Sequence, residues 1–160
     1  MKRFILTIGI CLAMINCMAQ GTQKSVLFIG NSYTQVNDLP RLTQMVAESM
    51  GDELTYSSNT PGGCTFQQHC NNQSMTLIQQ GFWDVVVLQE QSQLPSFPEW
   101  QVAQECFPYA ARLVEAAYAA NPNVEPMFYM TWGRRDGDRG ERLRRPGRHG
   151  QRTALERHGR

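Results

Sequence analysis

Long apolar runs are almost missing from this chain. The longest, residues 4–15, has 12 residues, whereas a helix that spans a bilayer needs about 20, so a membrane bundle is excluded. Histidine is scarce as well. His69, His149 and His158 are the only three in 160 residues, which leaves few sources of imidazole for metal binding or proton transfer. Neither sign of charge dominates the whole, whose formal net charge is +1. At 41% hydrophobic and 18% charged, the composition also excludes a disordered polyelectrolyte. What is left is one globular domain, since 160 residues do not comfortably make two.

The small net charge conceals two kinds of text. Residues 20–133 carry three basic side chains, Lys24, Arg41 and Arg112, against ten acidic ones, a net of −7. Residues 134–160 carry ten arginines against four acids, a net of +6, with five glycines, no lysine, and only Leu143, Ala154 and Leu155 as aliphatics. Such a segment cannot bury a face, and 139–160 reads as a disordered tail. Arginine and glycine without lysine is also what a shifted reading frame in GC-rich DNA yields, and the tail is read here as such a product. The alternative is a basic arm for nucleic acid, but such arms usually include lysine and aromatics. No nucleic-acid partner is expected.

At the other end, Lys2 and Arg3, the apolar run and Cys17-Met18-Ala19 follow the order of a secretory signal peptide over residues 1–19, cleaved near Ala19-Gln20. A secreted or periplasmic protein without a membrane span is expected after cleavage. The mature chain keeps Cys64, Cys70 and Cys106. An odd number leaves at least one thiol unpaired or paired outside the chain. The spacing of Cys64 and Cys70 beside His69 matches no ordinary zinc-ligand pattern, and no metal is expected.

The hydrophobic pattern predicts a buried strand over 24–30 and then a helix marked by Leu39, Leu42, Met45, Val46 and Met50, capped by Asn37 or Asp38. A weaker strand follows over 54–58, and a poorly patterned helix over 65–80. Val85-Val86-Val87-Leu88 marks a central strand within 83–88. Ser96-Phe97-Pro98-Glu99 has the form of a capping box. It opens a helix with Ala103, Phe107, Ala110, Leu113, Val114 and Ala117 on one face, which Pro108 kinks or splits. A fourth strand is expected over 126–131. This alternation predicts a parallel sheet with helices on both faces, and such sheets bind ligands at the carboxyl ends of their strands.

The notable polar residues fall at those ends. Ser32 follows the first strand and a Gly-Asn turn, where its hydroxyl is exposed near backbone N–H groups that stabilise negative charge. Gly-Asn-Ser is equally an ordinary turn. Gly63 offers an unobstructed backbone N–H and Gln91 a side-chain amide, each after a later strand. Together with the Ser32 N–H they make a sensible donor set for a tetrahedral oxyanion. A single polar loop after the first strand is a weak phosphate signal, and no cofactor is expected.

With these residues in view, the chain resembles the SGNH (GDSL-type) hydrolases. Residues 26–34, Val-Leu-Phe-Ile-Gly-Asn-Ser-Tyr-Thr, look like the family's first block, with Asn31 where Asp is usual. Pro61-Gly62-Gly63 looks like the second. Residues 84–92, Asp-Val-Val-Val-Leu-Gln-Glu-Gln-Ser, resemble the third, with Gln91 at the oxyanion-hole Asn. Met-Thr-Trp-Gly-Arg at 130–134 continues the match. The resemblance is to a secreted bacterial branch with a Gly-Asn-Ser first block, covers about 25–138, and defines a partial domain over 20–138.

The resemblance implies a flavodoxin-like three-layer α/β sandwich with a parallel sheet, incomplete at its carboxyl end. It also implies metal-free serine hydrolysis of small-molecule or glycan esters, acyl or acetyl. Ser32 would be the nucleophile and an oxyanion N–H, with Gly63 and Gln91 as the other donors. Asn31, Tyr33, His69 and Trp132 are candidates for contact with substrate. The fourth block, Asp-x-x-His, has no counterpart: three residues before His149 and His158 stand Pro146 and Leu155. A serine without its base loses about 10⁴ to 10⁶ in rate, so this form is expected to be severely impaired. Two alternatives remain. One is a non-catalytic glycan- or acyl-binding module using Tyr33, Trp83, Trp100 and Trp132 as stacking surfaces. The other is a secreted nucleic-acid binder working through the arginine tail.

Overall fold

The computed structural model describes residues 21–131. The expected signal peptide, Trp132, His149, His158 and the arginine tail all lie outside the described residues.

Four strands make one parallel sheet: β1 (Gln23–Ile29), β2 (Glu53–Asn59), β3 (Val85–Leu88) and β4 (Glu125–Phe128), in the order β2-β1-β3-β4. Side chains alternate between its two faces. Leu27, Ile29, Val86 and Leu88 join Phe66, Ile78, Trp83 and Leu113 on one side, while Val26, Phe28, Leu54 and Val87 form a smaller cluster on the other. With both faces covered, Val26–Ile29 of β1 and the whole of β3 read as unbroken apolar runs.

Six helices connect the strands: α1 (Ser32–Gln35), α2 (Leu39–Ser49), α3 (Phe66–His69), α4 (Gln73–Ile78), α5 (Glu99–Glu105) and α6 (Phe107–Ala120). α2 covers the smaller cluster, and α3, α4 and α6 pack on the larger one. The result is a three-layer, flavodoxin-like α/β arrangement. No helix among the described residues is long and apolar enough to cross a membrane.

Several local expectations change. The span 65–80 is two short helices with a break at Cys70–Asn72, because two polar residues each cap a start. Thr65 and Gln68 form a reciprocal capping box, and Asn72 Oδ1 accepts from the Ser74 N–H at 2.8 Å. The Ser96-x-x-Glu99 box does not form. Ser96 Oγ donates back to the Gln93 carbonyl at 2.7 Å within a 3-10 turn (Leu94–Ser96), and Pro98 precedes α5 without a side-chain cap. Pro108 does divide the next helix, with the break at Cys106 and the proline in the first turn of α6, where its missing N–H costs nothing. β4 ends at Phe128, short of the expected 131. The apolar stripe of α2 faces outward: Leu42, Met45, Val46 and the C-cap Met50 are exposed, Pro40 is buried, and α2 meets the sheet through Gln44 and Ala47. Trp83 is core, its Nε1 donating to the Leu77 carbonyl at 2.7 Å, so it offers no stacking surface.

Truncating Leu113, which has 0% exposure, should cost about 2–5 kcal/mol of stability. Met130→Ala, at a side chain 89% exposed, should stay within about 0.5 kcal/mol of the native value. Urea unfolding monitored by tryptophan fluorescence measures both, and equal costs would contradict the placement of the core.

Candidate active site

The strand order puts a reversal between β1 and β3. The chain leaves β1 towards β2 on one side, through helices on one face, and reaches β3 on the other side through helices on the opposite face. A crevice opens at the carboxyl ends of the strands at such a switch point. Gly30–Gln35 leads out of β1 there and Gln89–Gln91 out of β3.

Asn31 holds these segments together. It is the N-cap of α1 and is 1% exposed. Its backbone N–H donates to Gln89 Oε1 at 2.9 Å, and its Nδ2 donates to the Cys64 carbonyl at 3.0 Å. Its Oδ1 accepts from the Tyr33 N–H at 3.2 Å, and its carbonyl accepts from the N–H groups of Thr34 and Gln35. Asn31 is therefore a buried junction between three loops, which corrects its expected role as a substrate contact.

Ser32, the first residue of α1, is half-buried. It lines a cleft of about 350 Å³ whose other walls are Tyr33, Val36, Asn37, Leu39, Leu42 and Tyr129. The cleft bends around a 3-10 turn (Val36–Asp38) in which Asn37 and Asp38 have φ of 59° and 51°. Asn and Asp tolerate this left-handed backbone better than most residues. Tyr33 stands beside Ser32 in the wall of this cleft.

Gly63 is exposed in the turn that follows β2, closed by Cys64 N–H to the Pro61 carbonyl at 3.1 Å. Its φ of +70° favours glycine, and a Cβ there would meet nothing within 4 Å. Because Asn31 Nδ2 grips the carbonyl of the next residue, Cys64, the Gly63 turn is tied to the Ser32 turn. Gln91 is half-buried. Its Oε1 accepts from the N–H groups of Gln93 and Leu94 at 2.7 and 3.3 Å. That fixes the plane of its amide and sets the NH₂ on the far side of Cδ.

His69 departs from expectation most. It is a candidate for contact with substrate in the sequence, yet it has 0% exposure. Its Nδ1 lies 2.8 Å from Ser74 Oγ and its Nε2 2.8 Å from the Gly30 carbonyl. A ring so enclosed neither contacts substrate nor reaches Ser32 as a base. Burial holds it below the ordinary imidazole range, opposed by the hydrogen bonds to Gly30 and Asn72.

Sequence reasoning passed over Gln89 and Glu90. Gln89, 0% exposed, accepts from both Asn31 N–H and Thr34 Oγ1, the latter at 2.9 Å, and its Nε2 donates to the Glu90 carbonyl. Glu90 accepts from the Phe66 N–H at 3.0 Å and the Gln91 N–H at 2.6 Å. Burial pushes its carboxyl up despite these bonds. Cys106 donates to that carboxylate, and burial together with the nearby charge raises its thiol to about 11. The available signal was three polar side chains directly after a buried apolar strand, since buried polar groups require partners. Cys64, Cys70 and Cys106 are all buried and free. Among the described residues no three His, Cys, Asp or Glu side chains are grouped to hold a metal ion.

No protein-family model and no curated protein matches the chain. Among solved structures it is similar to a Clostridium thermocellum family 3 carbohydrate esterase, at 14% identity and a TM-score of 0.49. The match covers 67% of this chain and 61% of that one, so the chain spans less than two thirds of that protein's length.

The depressed His69 pKa has a definite sign. As the pH falls below about 6.5, the unfolded chain binds this proton before the folded one does, so stability present above that pH is lost below it. From pH 7 to pH 5 the native protein should lose more stability than His69→Gln, by at most about 1.4 kcal/mol per pH unit. Glu90, shifted upward, has the opposite sign but is common to both proteins. Urea titrations at each pH test this, and parallel pH slopes would contradict it.

Proposed function

We propose that residues 20–138 carry the nucleophile half of an SGNH-type serine esterase site, acting on acyl or acetyl esters. Ser32 Oγ is the attacking atom. The Ser32 and Gly63 N–H groups and the Gln91 side-chain amide are the donors for the oxyanion. The observation that carries this reading is the Asn31 junction, whose hydrogen bonds tie the turn of Ser32 to the loops of Gly63 and Gln91. Oxyanion stabilisation needs donors held before the charge develops, and this junction holds all three loops at the switch point of the sheet.

The cleft beside Ser32 supports an ester with an apolar acyl part. Val36, Leu39 and Leu42 line one side and Tyr129 another, while the serine supplies the polar edge. About 350 Å³ lies within the usual range of small-ligand pockets. Residues 1–19 suit this reading as an export signal, placing the activity outside the cytoplasm, and the body's net charge of −7 disfavours polyanionic substrates.

No imidazole stands free to serve as base for Ser32 among the described residues. His69 is the one histidine among the described residues, and both its ring nitrogens are engaged. That same fact favours a second reading, a binding module that uses the cleft without turnover.

Supplied imidazole separates the two. In p-nitrophenyl acetate assays the native chain should be slow, and added imidazole should speed it beyond the Ser32→Ala control, which reports only the buffer's own catalysis. Gln91→Ala should lower the imidazole-assisted, Ser32-dependent rate by about 10²-fold or more. Equal rates for native protein and Ser32→Ala at every imidazole concentration would leave the binding module as the correct reading.

A further inference from the structure

Gly30 ends the run of β1 and has no side chain to anchor it. Its Cβ position lies only 2.5 Å from Thr34 Oγ1 and 2.8 Å from Gln89 Oε1, so the backbone there is pressed against its neighbours. Both polar groups of this residue are nonetheless held. The Gly30 N–H donates to the Asn59 carbonyl at 3.2 Å. The Gly30 carbonyl, which can only accept, requires the proton on His69 Nε2, 2.8 Å away. Nδ1 is then the acceptor, taking the Ser74 hydroxyl proton at 2.8 Å. Ser74 Oγ accepts in turn from Asn59 Nδ2 at 2.9 Å. The chain of bonds closes on itself: Gly30 to Asn59, Asn59 to Ser74, Ser74 to His69, and His69 back to Gly30.

From this circuit we infer that His69 is a positioning residue for Ser32. By holding the Gly30 carbonyl it fixes the direction in which the Asn31-Ser32 turn leaves the sheet, and hence where Ser32 Oγ sits in its cleft. The inference rests on the reading of Ser32 as the nucleophile. A histidine that merely filled the core could be replaced by an apolar ring with no effect on Ser32. A positioning histidine could not, and an amide that keeps a donor near Nε2 would rescue it.

The experiment compares His69→Phe with His69→Gln in the full chain. Amide hydrogen exchange reads the turn at Asn31, Thr34 and Gln35, and imidazole-assisted p-nitrophenyl acetate turnover reads Ser32. His69→Phe should raise exchange at the turn about tenfold or more, the scale of one lost buried hydrogen bond. It should lower the Ser32-dependent kcat by a similar factor with KM unchanged, while Val86 and Val87 in β3 exchange as in the native protein. His69→Gln should regain most of both. A folded His69→Phe that leaves turn exchange and kcat as in the native protein overturns the inference. Should His69→Phe not fold, Ser74→Ala, which removes the hydroxyl at Nδ1 and leaves only the longer contact from Asn72 Nδ2 at 3.4 Å there, carries the same comparison with a smaller expected effect. Native protein without Ser32-dependent turnover whose turn still loosens in His69→Phe would refute the nucleophile reading and keep the holding role of His69. Ser32-dependent turnover indifferent to His69 would do the reverse.

Discussion

One buried amide side chain sets the geometry on which the rest depends. Asn31 lies at the point where β1 stops and must satisfy its own polar groups without water. It does so by reaching three ways: back to Gln89 beside β3, across to Cys64 beyond β2, and forward into α1. Each bond ties a different crossover of the sheet to the same few atoms. The donor that Asn31 sends to Cys64 gives a physical reason for an amide at this position. An ionised Asp accepts only and could not donate to the Cys64 carbonyl. Leaving such a buried carbonyl unmatched costs about 1–3 kcal/mol.

The polar run after β3 works by the same rule. Gln89 turns to the β1 exit, where it takes Asn31 N–H and Thr34 Oγ1. Glu90 turns to the start of α3 and to Cys106. Gln91 turns to its own loop. Two of the three residues are therefore consumed as mortar between elements, and the third, half-buried, stands at the rim. Burial opposes the charge on Glu90 while three donors favour it, so the carboxyl is a structural acceptor whose cost is met by α3 and the Gln91 N–H.

How much of this was legible from the chain follows from what each signal measures. β1 and β3 were legible because a strand covered on both faces must be apolar throughout, and Val26–Ile29 and Val85–Leu88 are. α2 misled because periodicity reports an apolar stripe and not its direction: Leu42, Met45 and Val46 keep helical spacing yet face outward. The span 65–80 lacked a single apolar face because it is two helices, the first opened by the Thr65–Gln68 capping box and the second by the Asn72 cap after the break at Cys70–Asn72. Ser96 matched the same motif and failed because Pro98 already determines the backbone at the helix start. Ser32, Gly63 and Gln91 were placed at strand ends by topology alone. Asn31 and His69 were not assigned correctly because a polar residue near a site looks the same in sequence whether it faces the substrate or the core.

His69 and Ser74 show why distance alone does not make an active site. At 2.8 Å, with Ser74 donating to Nδ1, the pair meets the hydrogen-bond criterion for a nucleophile and its base. Yet both side chains have 0% exposure, and neither lines the Ser32 cleft. Nε2 is spent on the Gly30 carbonyl, where a catalytic imidazole would use it for an orienting carboxylate. An ester carbonyl cannot approach Ser74 Oγ without unpacking α3 and α4 from β1. Ser32 has the reverse arrangement, with a cleft in front of it and, among the described residues, no imidazole beside it. The chemistry of nucleophile activation and the space for a substrate are thus divided between two serines. If His69 positions Ser32, the Gly30 carbonyl is the atom through which the His69–Ser74 pair does so.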